Sequence, residues 1–243
     1  MGLCDAPPPE PEEFVLVLDG SPGSTASLAS VEPVLTAVLE RAIGRPGSII
    51  KVWTVGTGPS DCRELGAVEV PEPPRRLRNP RAHRTELTAS LRDQLVPLIA
   101  AALEAAGKQT RSAISDALTL AARSRRLPGR SRHWVVVVSD LREMTGRGGL
   151  DLECRRALPS DADIARNLEA RGLLQPGTLD GFDVRLVSAP LPPFPGRPRC
   201  NLSLRRGDDL ARLWTVALRH AGAHRVDVDH GALRFDASTT GTN

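Results

Sequence analysis

Two short apolar runs, each ending at an aspartate, constrain the fold of this chain more than any other feature. Residues 14–18 (Phe-Val-Leu-Val-Leu) precede Asp19, and residues 134–139 (Trp-Val-Val-Val-Val-Ser) precede Asp140. Continuous aliphatic runs of this length are typical of strands buried on both faces, as in parallel sheets covered by helices. Ligands of such sheets bind outside the carboxyl ends of the strands. We therefore expect both carboxylates at one edge of a sheet, where they could bind a hard cation or a polar ligand.

Segments with one apolar face alternate with these strands. Their spacing predicts helices at about 30–43, 85–106, 112–124, 160–171 and 208–221, and further strands at 48–55, 67–70 and 182–187. Alternating apolar residues on either side of His230-Gly231 predict a hairpin at the carboxyl terminus: Val226, Val228, Leu233 and Phe235. The predicted fold class is α/β, a doubly wound and mostly parallel sheet flanked by helices, with a C-terminal β-hairpin.

The composition along the chain suggests how it is divided. Residues 1–13 are rich in Pro and Glu and are predicted to form a tether, and residues 14–236 are predicted to form one domain. Within it, residues 56–84 are rich in Pro and Arg and are interpreted as a surface insertion. Residues 237–243 are expected to form a flexible tail.

Charge and hydropathy argue against a nucleic-acid partner and against a membrane-spanning segment. The net charge of +3 is spread along the chain, aromatic residues make up 3% of it, and tyrosine is absent. Nucleic-acid interfaces concentrate basic residues and interleave aromatic rings for stacking, so we expect no nucleic-acid partner. No apolar run approaches the length of a membrane-spanning helix, so no transmembrane segment is predicted.

The sequence leaves the compartment open. Its first residues lack a hydrophobic signal core, which predicts a cytoplasmic protein as the chain is written. Cys4 followed by the Pro/Glu tether is, however, similar to the start of a mature bacterial lipoprotein, which would place a signal peptide before Met1 and the protein outside the cytoplasm. A disulfide between Cys154 and Cys200 is expected only in that second case.

Three segments together carry a resemblance to a known family. The loop after the first strand reads Asp-Gly-Ser-Pro-Gly-Ser over residues 19–24, Ser112 stands at the start of a predicted helix, and Asp140 follows the second apolar run. This arrangement resembles the von Willebrand factor A (vWA) domain. The metal-ion-dependent adhesion site of that family combines an Asp-x-Ser-x-Ser loop, a threonine shortly before a helix, and an aspartate after the fourth strand.

Carried over residue by residue, the resemblance assigns a metal site. Asp19 and Ser21 match the first two loop positions, and the second serine falls on Gly23, with Ser24 one position later. The threonine position is held by a serine and the last aspartate is present, so the implied ligand set is Asp19, Ser21, Ser24, Ser112 and Asp140. Carboxylate and hydroxyl oxygens suit Mg²⁺ or Mn²⁺, which keep several waters and need few protein ligands.

The resemblance implies a bacterial, non-catalytic protein-binding module. In such a module the metal keeps one position open for an acidic side chain of the partner protein. Gly23 removes one oxygen ligand, so a metal-independent scaffold of the same fold is the alternative.

A metal-assisted hydrolase is the third interpretation. It would use Ser21 or Ser24 as the nucleophile, but the sequence offers no identifiable base. The chain contains no Gly-x-Ser-x-Gly elbow and no phosphate-binding Gly-x-x-x-x-Gly-Lys loop. We therefore predict a binding protein rather than an enzyme; the sequence does not indicate the identity of the partner or the oligomeric state.

Overall fold

The structure is a computed structural model that describes residues 9–20, 26–74, 79–128, 131–142, 160–188, 204–229, 233 and 235. Its elements follow in the order β1 (Glu12–Leu18), α1 (Leu28–Ala42), β2 (Ile49–Thr54), β3 (Arg63–Glu69), α2 (Pro80–Gly107), α3 (Ile114–Arg123), β4 (Arg132–Ser139), α4 (Asp161–Ala170), β5 (Phe182–Ser188), α5 (Leu204–His220) and β6 (Arg225–Asp229). No helix in the described ranges is long and apolar enough to cross a membrane.

The described strands form one sheet in the order β3-β2-β1-β4-β5-β6. All neighbouring strands are parallel except β2 and β3, which are antiparallel. Leu18 at the end of β1 pairs with Thr54 of β2 and with Val138 of β4, so the carboxyl ends of these three strands are aligned. The predicted doubly wound, mostly parallel α/β fold is confirmed.

Helices cover both faces of the sheet. The side chains of β1 alternate: Phe14, Leu16 and Leu18 pack with α1 and α2, while Val15 and Val17 pack with α3, α4 and α5. All five are fully buried. This two-sided burial explains why the strand reads as a continuous apolar run rather than as an alternating pattern.

Local signals fix the starts of several helices. Ser160 caps α4, and its hydroxyl accepts a hydrogen bond from the backbone N–H of Asp163, as the sequence predicts. Helix α2 begins at Pro80, before the predicted start at residue 85, because Asn79 caps it and proline is favoured in the first turn. Strand β3 extends further towards the amino terminus than the predicted 67–70; most of its residues are partly exposed, since it lies at the edge of the sheet.

The predicted C-terminal hairpin is not formed by the described residues. Val226 and Val228 lie in β6, which pairs in parallel with β5, whereas Leu233 and Phe235 lie in no strand. Phe235 instead packs edge-on against the rings of Phe14 and Trp134, at centroid distances of 5.8 and 4.8 Å. The ring of Phe235 therefore packs on Phe14 and Trp134, while residues 230–232, 234 and 236 of the predicted hairpin lie outside the described residues.

A buried ion pair lies at the opposite end of the sheet from Asp19. Lys51 of β2 is fully buried, and its Nζ lies 2.8 Å from Oε1 of Glu13. The other two ammonium hydrogens point to Ser124, whose carbonyl oxygen and Oγ accept at 2.6 and 2.7 Å. Nδ1 of His133 lies 3.5 Å from Glu13 Oε2. All three donors of Lys51 are satisfied, which is what allows a lysine to be buried here.

Candidate functional site

Asp19 lies at the carboxyl end of β1 and is fully buried. Its backbone N–H donates to the carbonyl of Val138 at 3.0 Å, which continues the pairing of β1 with β4 beyond the strand. Its carboxylate oxygen Oδ2 accepts two hydroxyl hydrogen bonds, from Ser112 at 2.7 Å and from Ser139 at 2.8 Å. Hydrogen bonds to an ionised acceptor are stronger than neutral ones, so Asp19 fixes the positions of both serines.

The residue after Asp19 must be a glycine because helix α2 passes close to the chain. A Cβ atom added to Gly20 would lie 2.7 Å from the carbonyl oxygen of Leu103, which is closer than real contacts allow. The glycine lets the backbone of the loop lie directly against α2. This contact fixes the position of residue 20 at the end of the sheet.

Ser112 is positioned by a contact just before α3. The backbone N–H of the next residue, Ala113, donates to the carbonyl of Gly56 beyond the end of β2, at 2.8 Å. The start of α3 is thereby joined to the same edge of the sheet as Asp19. The serine hydroxyl lies within reach of Asp19 although the two residues are far apart in the sequence.

The chain makes a constrained turn directly after Asp140. Leu141 has a φ of 62°, in the left-handed region that residues other than glycine seldom adopt. Two hydrogen bonds fix this conformation: the Leu141 N–H donates to Ser139 Oγ at 2.9 Å, and Trp214 Nε1 donates to the Leu141 carbonyl at 2.9 Å. Strained backbone of this kind persists only where its surroundings enforce it, and it is concentrated at functional sites.

The turn brings an arginine beside Asp140. The backbone N–H of Arg142 donates to Asp140 Oδ1 at 3.0 Å, and Arg142 Nε lies 3.7 Å from Oδ2. Both side chains are almost completely buried. A guanidinium at this distance supplies positive charge next to the second predicted acid of the site.

The structure brings three of the five predicted residues to one edge of the sheet: Asp19, Ser112 and Asp140. Ser21 and Ser24, together with Gly23, lie outside the described residues, as do Cys4, Cys154 and Cys200. Ser139 and Arg142 were not predicted. Ser139 had a signal in the sequence, since it is the one hydroxyl residue in an otherwise apolar run before Asp140, but nothing local distinguishes Arg142 from the other arginines.

Comparisons with known proteins give structural likenesses only. No family model matches the chain, and no curated protein matches it significantly. Similar solved structures include an aerotolerance-related membrane protein of Bacteroides fragilis (14% identity, 90% of this chain and 92% of that chain, TM-score 0.41). A second is BatB of Bacteroides thetaiotaomicron (12% identity, 90% of this chain and 91% of that chain, TM-score 0.45). A third is a von Willebrand factor type A protein of Catenulispora acidiphila (14% identity, 88% of this chain and 43% of that chain, TM-score 0.35). TM-scores below 0.5 do not by themselves establish a shared fold.

The chain's own topology and segment placement decide the fold. The sheet has a single antiparallel strand at one edge, and the loop after β1, the start of α3 and the end of the fourth strand meet at the carboxyl edge. The fold is vWA-like. The three segments that carried the resemblance in the sequence are therefore neighbours in space, with Ser112 hydrogen-bonded to Asp19 and the Asp19 backbone bonded to β4.

The described oxygens at this edge of the sheet are suited in part to binding a hard cation. Ser112 donates its hydroxyl hydrogen to Asp19, so the oxygen lone pairs remain available to a metal, and Asp19 and Asp140 supply carboxylates. Within the described ranges, no group of three or more His, Cys, Asp or Glu residues could hold a metal. The guanidinium of Arg142 acts against a cation at Asp140, because it already supplies positive charge there.

Substitutions of the two serines should affect stability unequally. Ser112→Ala removes one hydrogen bond to a buried carboxylate, for which we expect a loss of about 1.5–2 kcal/mol in the free energy of unfolding. Ser139→Ala removes a similar bond and also leaves the Leu141 N–H without its acceptor, so we expect about 2–3 kcal/mol. Urea denaturation of both variants measures the difference; equal losses would show that Ser139 does not support the turn.

Proposed function

We propose that this vWA-like domain is a non-catalytic protein-binding module whose contact surface is the carboxyl edge of the sheet around Asp19 and Asp140. The observation that carries the proposal is the convergence of side chains from separate segments on that edge. Asp19 Oδ2 accepts from Ser112 and Ser139, and Asp140 follows Ser139 directly. This cluster lies at the carboxyl ends of parallel strands, where such sheets bind ligands, and it adjoins the constrained turn at Leu141.

In its metal-dependent form, the site binds Mg²⁺ or Mn²⁺ through Asp19, Ser112 and Asp140, with Ser21 and Ser24 of the loop. The bound cation supplies a Lewis-acid position for a carboxylate of the partner protein. Ser112 donates its hydroxyl hydrogen to Asp19, which leaves the lone pairs of the hydroxyl oxygen free for the cation, and the constrained turn at Leu141 positions Asp140.

The contact between Arg142 and Asp140 supports the second candidate, a metal-independent scaffold of the same fold. In this form the guanidinium neutralises Asp140, and the partner contacts the edge of the sheet without a cation. The two forms differ in one measurable property, namely the response of the protein to divalent cations.

The metal-dependent form predicts stabilisation by Mg²⁺ or Mn²⁺. A cation that binds only the native state stabilises it by RT ln(1+[L]/Kd), or about 2.7 kcal/mol at a hundredfold excess over Kd, and so raises the melting temperature. Asp19→Ala and Asp140→Ala should abolish this increase, and differential scanning calorimetry with and without the cation measures it.

The matched control is Asp161→Ala at the start of α4, which removes an exposed carboxylate and should keep the full response to the cation. An unmodified protein whose melting temperature does not respond to millimolar Mg²⁺ or Mn²⁺ has the metal-independent form. Retention of the response in both Asp19→Ala and Asp140→Ala would place the cation elsewhere.

Binding of a partner is tested with the same variants. Proteins retained by the unmodified domain and by Asp161→Ala, but lost from Asp19→Ala and Asp140→Ala, are candidate partners. Each candidate is then purified and its affinity measured, and we expect at least about a tenfold weaker Kd for the two site variants. Candidates that bind all four proteins equally contradict the proposed contact surface.

Hydrolysis is assayed on generic phosphate and carboxylic ester substrates. The binding module predicts no turnover above that of a mock preparation. Turnover that is lost in Asp19→Ala would replace the proposed function with that of a metal-assisted hydrolase.

A further inference from the structure

A polar cavity of about 670 Å³ lies beside the start of α3. The loop between β2 and β3 forms one wall, through Thr57 to Asp61, and Leu173 contributes an apolar surface. Its remaining charged side chains are Arg111, Asp116 and Arg171. The cavity does not include Asp19 or Asp140, and the proposed function does not use it.

Asp116 lines this cavity with a carboxylate whose hydrogen-bonding capacity is unmet. Its side chain is 7% exposed, and within the described residues no hydrogen bond reaches the carboxylate. Its ion-pair partner is Arg171, whose Nη2 lies 3.9 Å from Oδ2, beyond hydrogen-bonding distance. Burial raises the pKa of Asp116, and Arg171 offsets only part of that increase.

Arg171, the ion-pair partner of Asp116, also has a hydrogen-bond donor without an acceptor. Its Nη1 is buried and has no hydrogen-bond acceptor among the described residues. Asp61, the other acid of the cavity, already accepts from the hydroxyl of Thr57. Hydrogen bonds to charged groups are stronger than those between neutral groups, so an acceptor for Arg171 and a donor for Asp116 would both be favourable.

The size and charge of the cavity narrow the chemistry of its occupant. One water molecule could bond both groups, but it occupies only about 30 Å³ of liquid volume, a small part of this space. The lining carries two arginines and two aspartates, so an anion or a cation gains on one pair and is repelled by the other. A carboxamide is neutral and presents an N–H donor and a carbonyl acceptor on one carbon.

We propose that this cavity is a binding site for a carboxamide, in which the amide N–H donates to Asp116 and the amide carbonyl accepts from Arg171. The amide belongs either to a free small molecule or to a glutamine or asparagine side chain of a partner protein. Leu173 packs against the aliphatic part of the ligand.

The test is an NMR titration of the isotope-labelled full chain with acetyl-glutamine-amide. Acetyl-glutamate-amide, which has nearly the same shape but carries a charge, and acetyl-norvaline-amide, which lacks the side-chain amide, are titrated in parallel. We expect saturable shifts of the backbone signals of residues 57–61, 116 and 171 with the glutamine compound, at a Kd on the order of millimolar. The two comparison compounds should bind at least about tenfold more weakly.

Variants distinguish this site from non-specific binding. Asp116→Ala and Arg171→Ala should each weaken binding of the glutamine compound by about tenfold or more. Asp116→Leu, which fills a similar volume but cannot accept a hydrogen bond, is the second variant if Asp116→Ala fails to fold. Arg166→Ala, which removes a largely exposed arginine of helix α4 one turn before Arg171, is the matched control and should bind normally.

The pentapeptide Ala-Ala-Gln-Ala-Ala separates the two sources of the amide. Binding at least about tenfold tighter than that of the single residue indicates a partner protein, and equal binding indicates a small molecule. The proposal is overturned if the glutamine compound gives no saturable shift, as expected for a cavity filled only by water. It is also overturned if the glutamate compound binds as well, or if the Asp116 and Arg171 variants bind normally. Asp19→Ala should leave this binding intact, so failure here is separable from failure of the protein-binding site.

Discussion

Replacing Lys51 with methionine should lower the free energy of unfolding by about 3–5 kcal/mol. The substitution keeps the length of the side chain but leaves the carboxylate of Glu13 buried without the ammonium group that lies 2.8 Å from it. It also removes the donor to both Ser124 acceptors. Urea denaturation of the purified variant, compared with the unmodified protein, gives the difference.

The sequence contains its own control for this experiment, because Lys108 is the other of its two lysines. Lys108 pairs with Glu104 on the surface of α2, with both side chains 70% exposed, so Lys108→Met should change stability by less than about 0.5 kcal/mol. Adding Glu13→Gln to Lys51→Met removes the unpaired charge and should recover part of the loss. A Lys51→Met variant as stable as Lys108→Met would contradict the buried ion pair.

Protonation of Glu13 should lower the stability of the protein markedly in acid. Burial alone would raise the pKa of this carboxyl, but His133, Lys51 and the backbone N–H groups of Leu127 and Arg126 outweigh it and lower the pKa from 4.5 to about 2. A carboxyl with a lowered pKa stabilises the fold above its unfolded pKa, and this contribution disappears as the pH falls through the folded pKa. At about 1.4 kcal/mol for each pKa unit, Glu13 contributes roughly 3 kcal/mol that is lost between about pH 4.5 and 2.

Urea denaturation at a series of pH values compares the unmodified protein with Glu13→Gln. The variant has no carboxyl to titrate at this position, so the stability difference between the two proteins should be largest above about pH 5 and should shrink towards pH 2. A difference that is independent of pH would show that Glu13 titrates normally in the folded state.

The sequence predicted the sheet well because strands buried on both faces leave an unambiguous signal. β1 and β4 each contain a continuous apolar run, and the aspartates that follow these strands lie at the carboxyl edge as expected. Ser112 lies at the same edge, hydrogen-bonded to Asp19, while its role as a metal ligand stays a prediction. The edge strand β3 was predicted too short, because a partly exposed strand that contains Gly66 lacks such a run.

Contacts between residues distant in the sequence were beyond prediction. Glu13 and Lys51 stand on different strands, and no local pattern indicates that they share a buried site. Arg142 beside Asp140 depends on the left-handed turn at Leu141, a conformation that a leucine does not favour by itself. The turn of the predicted hairpin and part of its second strand lie outside the described residues; of that second strand, Leu233 and Phe235 are described, and the partly buried Phe235 packs against Phe14 and Trp134.

The hydrogen bond from Trp214 to Leu141 gives the carboxyl edge of the sheet an intrinsic optical reporter. The indole of Trp214 is fully buried on α5, and its N–H bonds to the residue that follows Asp140. Trp134, by contrast, donates to Glu12 at the other end of the sheet. A ligand that moves the turn at Leu141 should change the environment of the Trp214 indole, so in a variant with Trp53 and Trp134 replaced by phenylalanine the remaining fluorescence reports occupancy of the site.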